Sequence, residues 1–272
     1  MKKNHLAKLL GAAVAALLAV AVVAPMAQAT TPAPNYTQFA GCPSPSEIPF
    51  ITSCLRSEVK SGYVKMGNKE VPITSPPGPI TLSGGTGEEL GPVYANSKGG
   101  LSPVKLKVPG GIIGLTGLTW LAEFLGSEAL TLYAETQIAG QPVVNALNSI
   151  TLPVKIHLIN GALGNNCFVG SVSNPITWHL VTGTSGKLTG TPGKITFQET
   201  PAEILFSKGG KYVDNTWAAP GASGCVLTLF GFIPISINGL VNLASGLPAP
   251  AGVNEVVQFI DTEVAASEVV YP

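Results

Sequence analysis

The stretch Leu152-Pro153-Val154-Lys155-Ile156-His157-Leu158-Ile159 decides the fold class. Leu152, Val154, Ile156 and Leu158 alternate with Pro153, Lys155, His157 and Ile159. Successive side chains of a strand leave opposite faces, so a period of two supplies one apolar face for a core and one mixed face for water. A proline is tolerated where a strand begins.

The same reading extends in both directions. Upstream, Val104-Lys105-Leu106-Lys107-Val108 alternates apolar and basic residues, and Leu130, Leu132, Ala134, Thr136 and Ile138 alternate with polar neighbours. Downstream come Ile176–Val181, Lys194–Gln198 and Glu203–Phe206. Tyr63–Met66 and Lys69–Val71 flank Gly67-Asn68, a pair suited to a two-residue hairpin turn, and Pro72 marks a strand end or a sheet edge. Short strands punctuated by Gly and Pro predict a mainly β fold: an antiparallel β-sandwich or barrel-like domain with short helices.

Two segments read differently. Gly110–Gly126 is an apolar run broken by glycine, expected to be a buried loop with a short helix. Asn254–Val270 contains no Gly or Pro and sets Val257, Ile260, Val264 and Ala265 near one helical face. It is expected to be a C-terminal helix, with its β-branched residues leaving a strand as the alternative.

The first 29 of the 272 residues read as a secretory leader. Lys2, Lys3 and Lys8 precede the apolar Leu9–Ala24, and Ala27-Gln28-Ala29 supplies a small-residue cleavage site. The apolar run is shorter than the roughly 20 residues a bilayer span requires. Without the leader, twelve basic residues face fifteen acidic ones, a net charge of −3 with His neutral. That balance argues against a nucleic-acid partner. Only 11% of the chain is charged, against about 25% in an average protein, so an envelope component or an apolar ligand suits its surface better.

Residues 30–57 carry Pro32, Pro34, Pro43, Pro45 and Pro49 and are expected to form an extended arm. Residues 58–272 then form the β-rich domain, with two packed subdomains divided near 140–151 as an option. Four cysteines, Cys42, Cys54, Cys167 and Cys225, would meet an oxidising compartment and form two disulfides. Of the three pairings, Cys42–Cys54 with Cys167–Cys225 is favoured, because Cys42 and Cys54 share one short segment. Zinc is the weaker alternative, since no C-x-x-C pair or adjacent His supplies ligand spacing.

Few residues suggest chemistry. His157 and His179 each sit on an expected strand, without a third ligand, and read as structural. Asp214 and Asp261 are the only aspartates, and Gly183-Thr184-Ser185-Gly186 and Gly221-Ala222-Ser223-Gly224 fit turns better than a nucleophile elbow. Glu88-Glu89 reads as a solvated loop pair rather than a glycosidase dyad. No phosphate-binding loop, dinucleotide fingerprint, H-E-x-x-H or EF-hand sequence occurs, and no cofactor is expected.

From about Leu152 to Val264 the chain resembles a family of secreted actinobacterial proteins of unassigned function. The matching pieces are Val154–Leu158, Asn166-Cys167-Phe168-Val169-Gly170-Ser171, Asn174-Pro175-Ile176, Leu180–Thr184, Val213–Pro220, Gly224-Cys225 and Gly246–Asn254. The resemblance implies export and a Cys167–Cys225 bridge, and brings no catalytic residues. The expectation is a noncatalytic secreted or envelope-associated protein acting through a surface or an apolar groove. The alternatives are a membrane-active or channel-forming β-protein, suggested by the apolar stretches 110–125 and 226–243, and a secreted hydrolase with a dispersed active site.

Overall fold

A computed structural model describes residues 30–74, 79–117, 130–161, 163–229 and 233–272. The leader, most of the apolar run beyond Gly117 and the aromatic Phe230-Gly231-Phe232 lie outside these residues. Among those described, the chain lays down β1 (Ser53–Met66), β2 (Lys69–Ile73), β3 (Ile80–Gly87), β4 (Leu90–Tyr94), β5 (Gly100–Ser102) and β6 (Lys105–Lys107). After helix α1 (Gly111–Thr116) follow β7 (Tyr133–Ile138), β8 (Val143–Ala146), β9 (Ser149–Ile159), β10 (Phe168–Val169), β11 (Ile176–Val181), β12 (Thr184–Ser185) and β13 (Leu188–Thr189). The rest is β14 (Lys194–Gln198), β15 (Ile204–Asp214), β16 (Ala222–Ser223), β17 (Val226–Leu229), β18 (Ile233–Ser236), helix α2 (Asn238–Ser245), β19 (Glu255–Ala266) and the one-turn α3 (Ser267–Val270).

Eight of these strands close a barrel. In order around it, β11, β15, β19, β1, β3, β4, β8 and β9 are antiparallel neighbours. The circle closes where β9 pairs β11 through six residue pairs, Ile176↔Val154 to Val181↔Ser149. Strand β9 carries the opening sequence, and its side chains alternate between buried and half-buried along its whole length. Every second residue therefore fills the barrel, as the period-two pattern requires.

Three expectations change. The C-terminal helix is a strand over Glu255–Ala266, held between β1 and β15, and only Ser267–Val270 turns helical. The helical spacing is misleading because Val256 and Val257, adjacent in sequence, are both buried, one on each face of the strand. β-branched side chains fit that pleated site better than a helix surface. The N-terminal segment is not a free arm: Tyr36 and Phe39 are buried, and β1 already begins at Ser53, so Cys54 lies inside a strand. Together with Ile51, Ile204, Val270 and Tyr271 this segment forms a second core that closes one end of the barrel. Tyr271 Oη donates to the Cys42 carbonyl at 2.6 Å and the Ala33 N–H donates to the Val270 carbonyl at 2.8 Å. Finally, 140–151 holds the β8–β9 hairpin, and the sheet runs through it without a division.

Both disulfides pair as favoured. Cys42–Cys54 fixes the plug to β1, and Cys167–Cys225 ties the loop after β9 to the start of β17. The opposite end of the barrel is closed by α1 and α2, which touch each other across it.

Candidate site in the barrel interior

Beneath α1 and α2, the inward side chains of the sheet enclose a cavity of about 50 Å³. Val64 and Met66 of β1, Leu106 of β6, Ala134 and Thr136 of β7, and Ile156 and Leu158 of β9 form its wall. Leu115 of α1 and Val241 and Ser245 of α2 form its roof. Below lies a second cavity of about 30 Å³, whose wall shares Val64, Leu106 and Thr136, and then a third of about 20 Å³ sharing Ser57 and Ile150. The interior is thus one apolar column running from Met66 down to Leu55, loosest at the helical end. An eight-stranded barrel is just wide enough to be filled by side chains or to admit one small ligand.

Among the described residues, three buried polar atoms on this column lack partners, Ser245 Oγ, Trp178 Nε1 and Thr86 Oγ1, and a half-buried lysine joins them. Strand β2 alternates, turning Lys69, Val71 and Ile73 inward and exposing Glu70 and Pro72. Lys69 therefore lines the apolar cavity, and among the described residues it has no ion pair. The Ser245 hydroxyl, on a residue only 2% exposed, has no hydrogen-bond partner among the described residues. Trp178 Nε1, at the second cavity, is likewise unpartnered, its ring edge-on to Trp217 at 6.0 Å. The buried hydroxyl of Ser245 and the indole N–H of Trp178 each forgo about 1–3 kcal/mol that a matching ligand atom would restore.

The wall has a weak line. β2 is paired to β1 and β6 to β7, and among the described residues no ladder joins β2 to β6. Pro72 brings no N–H to this edge. Outside it lies a surface hollow of about 490 Å³, lined by Pro72, Lys107, Val108, Pro109 and Ile113. Val108 also lines the inner cavity, so one layer of side chains separates hollow from interior.

The rim is held by polar contacts. Asn254, fully buried, accepts the Gly67 N–H at 2.9 Å and donates to the carbonyls of Trp217, Ala249 and Pro250 at 3.0, 3.2 and 3.1 Å. Gly67 turns the β1–β2 hairpin with φ +59°, and the next N–H, of Asn68, donates to the Ser245 carbonyl at 3.0 Å. Glu255 accepts from Lys187 Nζ at 2.8 Å and Tyr63 Oη at 2.8 Å. The Lys187 contact, with help from Tyr63 and Lys65, holds the Glu255 carboxyl below its ordinary range. Burial and the bond to Glu255 push the Tyr63 phenol up to about 12.

The end of the molecule around α2 is apolar outside as well as inside. Leu243 is 80% exposed, and Leu240, Ile233 and Ile235 are exposed beside it. No Asp, Glu, Lys, Arg or His occurs from Asn215 to Asn254. The staves of the barrel, by contrast, present Lys155, Lys60, Lys208 and Lys211 outward or at the surface.

The residues singled out for chemistry are kept apart. His157 stacks on Phe168, centroids 4.4 Å apart, on the outer face of β9. The exposed His179 bonds Thr151 Oγ1 through Nδ1 at 3.2 Å. Buried Asp214 accepts the His179 backbone N–H (2.6 Å), Ser185 Oγ (3.0 Å), and the Thr216 N–H and hydroxyl (2.8 and 2.7 Å). Ser185 thus donates directly to the acid, and the His179 ring bonds Thr151 instead. That arrangement stabilises the β12–β13 turn and builds no nucleophile–base pair. Glu88-Glu89 is the exposed turn of the β3–β4 hairpin. Among the described residues no group of His, Cys, Asp and Glu could hold a metal ion. Sequence reasoning missed Lys69, Ser245 and Asn254; the available signal for Lys69 was its phase with Val71 and Ile73.

Comparisons with known protein families, with curated proteins and with solved structures found no match.

Proposed function

We propose that this protein is an exported, noncatalytic binding protein that takes an apolar chain into the barrel interior beneath α1 and α2. The observation that carries the reading is the stack of small apolar cavities with unpartnered polar groups on its wall, lying one side-chain layer from the surface at the β2–β6 line. Export is supported by the leader pattern of residues 1–29, by two disulfides and by the resemblance to secreted actinobacterial proteins. The 50 Å³ upper cavity has room for about four water molecules at 10–15 Å³ each, so admitting a chain requires the barrel end to open, and flexible Met66 on its wall is suited to make way.

The channel reading is disfavoured by polarity. A membrane barrel turns apolar residues to lipid and polar ones to its lumen, whereas this interior is apolar and charged lysines lie outside. One part of the membrane-active reading keeps support: exposed Leu240 and Leu243, in an uncharged region, suit contact with a lipid surface from which a ligand is drawn. The hydrolase reading gains no support, since Ser185 donates to Asp214 directly while the His179 ring bonds Thr151 and the His157 ring stacks on Phe168.

The test is calorimetric titration of the oxidised protein with hexadecanol and hexadecanoate. Saturable one-to-one binding, reduced by filling the cavity with Ala134→Met while the melting temperature holds, supports the reading. If neither amphiphile binds, the reading is wrong.

A further inference from the structure

We infer that the cavity recognises a single-chain amphiphile with a carboxylate head, held by Lys69 Nζ and the Ser245 hydroxyl while the tail runs down the barrel column. The inference rests on the binding reading above and adds the ligand's head group. Lys69 occupies an inward position of β2, in register opposite Met66, on a wall that is otherwise almost wholly apolar. Lys69 is half-buried along that wall and, among the described residues, forms no ion pair, so its ammonium is open to an anion at the cavity end. Ser245 is independent of it in sequence and lies on α2, yet the two are neighbours: Asn68, one residue before Lys69, donates its N–H to the Ser245 carbonyl.

The donors determine the head. Lys69 supplies one positive charge and Ser245 one hydroxyl proton, enough to satisfy both oxygens of a monoanion. A phosphate would bring about a further half to full charge with no second cation on the cavity wall to meet it. The tail has one direction to run, because the second chamber lies beneath the first across the shared side chains of Val64, Leu106 and Thr136 while Lys69 stands near the roof.

The experiment compares hexadecanoate with hexadecanol at neutral pH, on the full oxidised protein and on Lys69→Met and Ser245→Ala. Wild type should bind hexadecanoate about tenfold more tightly, equivalent to about 1.4 kcal/mol. Lys69→Met should erase that preference while leaving hexadecanol affinity unchanged, and Ser245→Ala should weaken hexadecanoate binding by a smaller factor. Adding hexadecyl phosphate distinguishes the heads: binding tighter than hexadecanoate would overturn the carboxylate assignment. Equal binding of acid and alcohol to wild type, or a preference that survives Lys69→Met, would overturn the inference while the binding reading stands. If neither chain binds, it is the binding reading that fails.

Discussion

Replacing Asn254 by Asp exchanges one amide nitrogen for oxygen at constant shape, in the place where the β1–β2 turn meets the loop beyond α2. The Gly67 N–H keeps its acceptor. The new oxygen, however, faces the carbonyls of Trp217, Ala249 and Pro250 where a donor stood. Ala249 and Pro250 retain the N–H groups of Ala219 (2.8 Å) and Val253 (3.4 Å), so Trp217 O loses its partner outright. An orphaned buried carbonyl costs about 1–3 kcal/mol, and an uncompensated buried charge about 3–5 kcal/mol in all. At pH 7 Asn254→Asp should therefore be about 3–5 kcal/mol less stable, or roughly 10 °C lower in Tm. The sign of the pH dependence is fixed by burial, which raises the introduced carboxyl's native pKa above its unfolded value of about 3.9. The penalty is then full at neutral pH and shrinks as pH falls through the raised native value, where the protonated acid again donates to a carbonyl. Urea unfolding of variant and wild type at pH 7 and pH 4 measures the difference. A gap that is absent at pH 7, or that widens in acid, would refute the reasoning.

Substitutions on the two faces of α2 should separate cleanly: Val241→Glu, on a wholly buried residue, should lose several kcal/mol, while Leu243→Glu, at 80% exposure, should stay within about 0.5 kcal/mol in urea titrations. Equal losses would mean that Leu243 is covered in the native protein. Glu255 contributes stability that is complete above its unfolded pKa of about 4.3 and vanishes as pH falls through its depressed native value. Glu255→Gln should accordingly flatten that part of the acid limb in pH-dependent melting, and an unchanged limb would count against the Lys187 and Tyr63 contacts. Opening the Cys167–Cys225 bridge with Cys225→Ser should cost about 4 kcal/mol, because the two residues are 58 apart; a loss below about 1 kcal/mol would show that the bridge restrains little in the unfolded chain.

Local physics made most of the sheet readable. Wherever one face of a strand meets the interior and the other meets water, as in β6, β7, β9 and β11, the period of two is written in the residues themselves. The Gly67-Asn68 turn is equally local, since a positive φ limits the residues that can stand there. The sequence by itself also determined the low charge, the cysteine number and the inward phase of Lys69, although that lysine's meaning depended on what it faced. Tertiary structure alone decided the rest. β19 became a strand because β1 and β15 supply ladders on both sides, outweighing a helical spacing of apolar residues. Residues 30–52 became a plug because Tyr36 and Phe39 could bury themselves only against the far ends of β1, β15 and β19. The cavity, too, exists through closure: its wall comes from strands more than a hundred residues apart, and the hydroxyl of Ser245 is orphaned only once α2 is laid across them. No window of sequence contains that geometry, because long-range packing rather than local preference places the groups that meet.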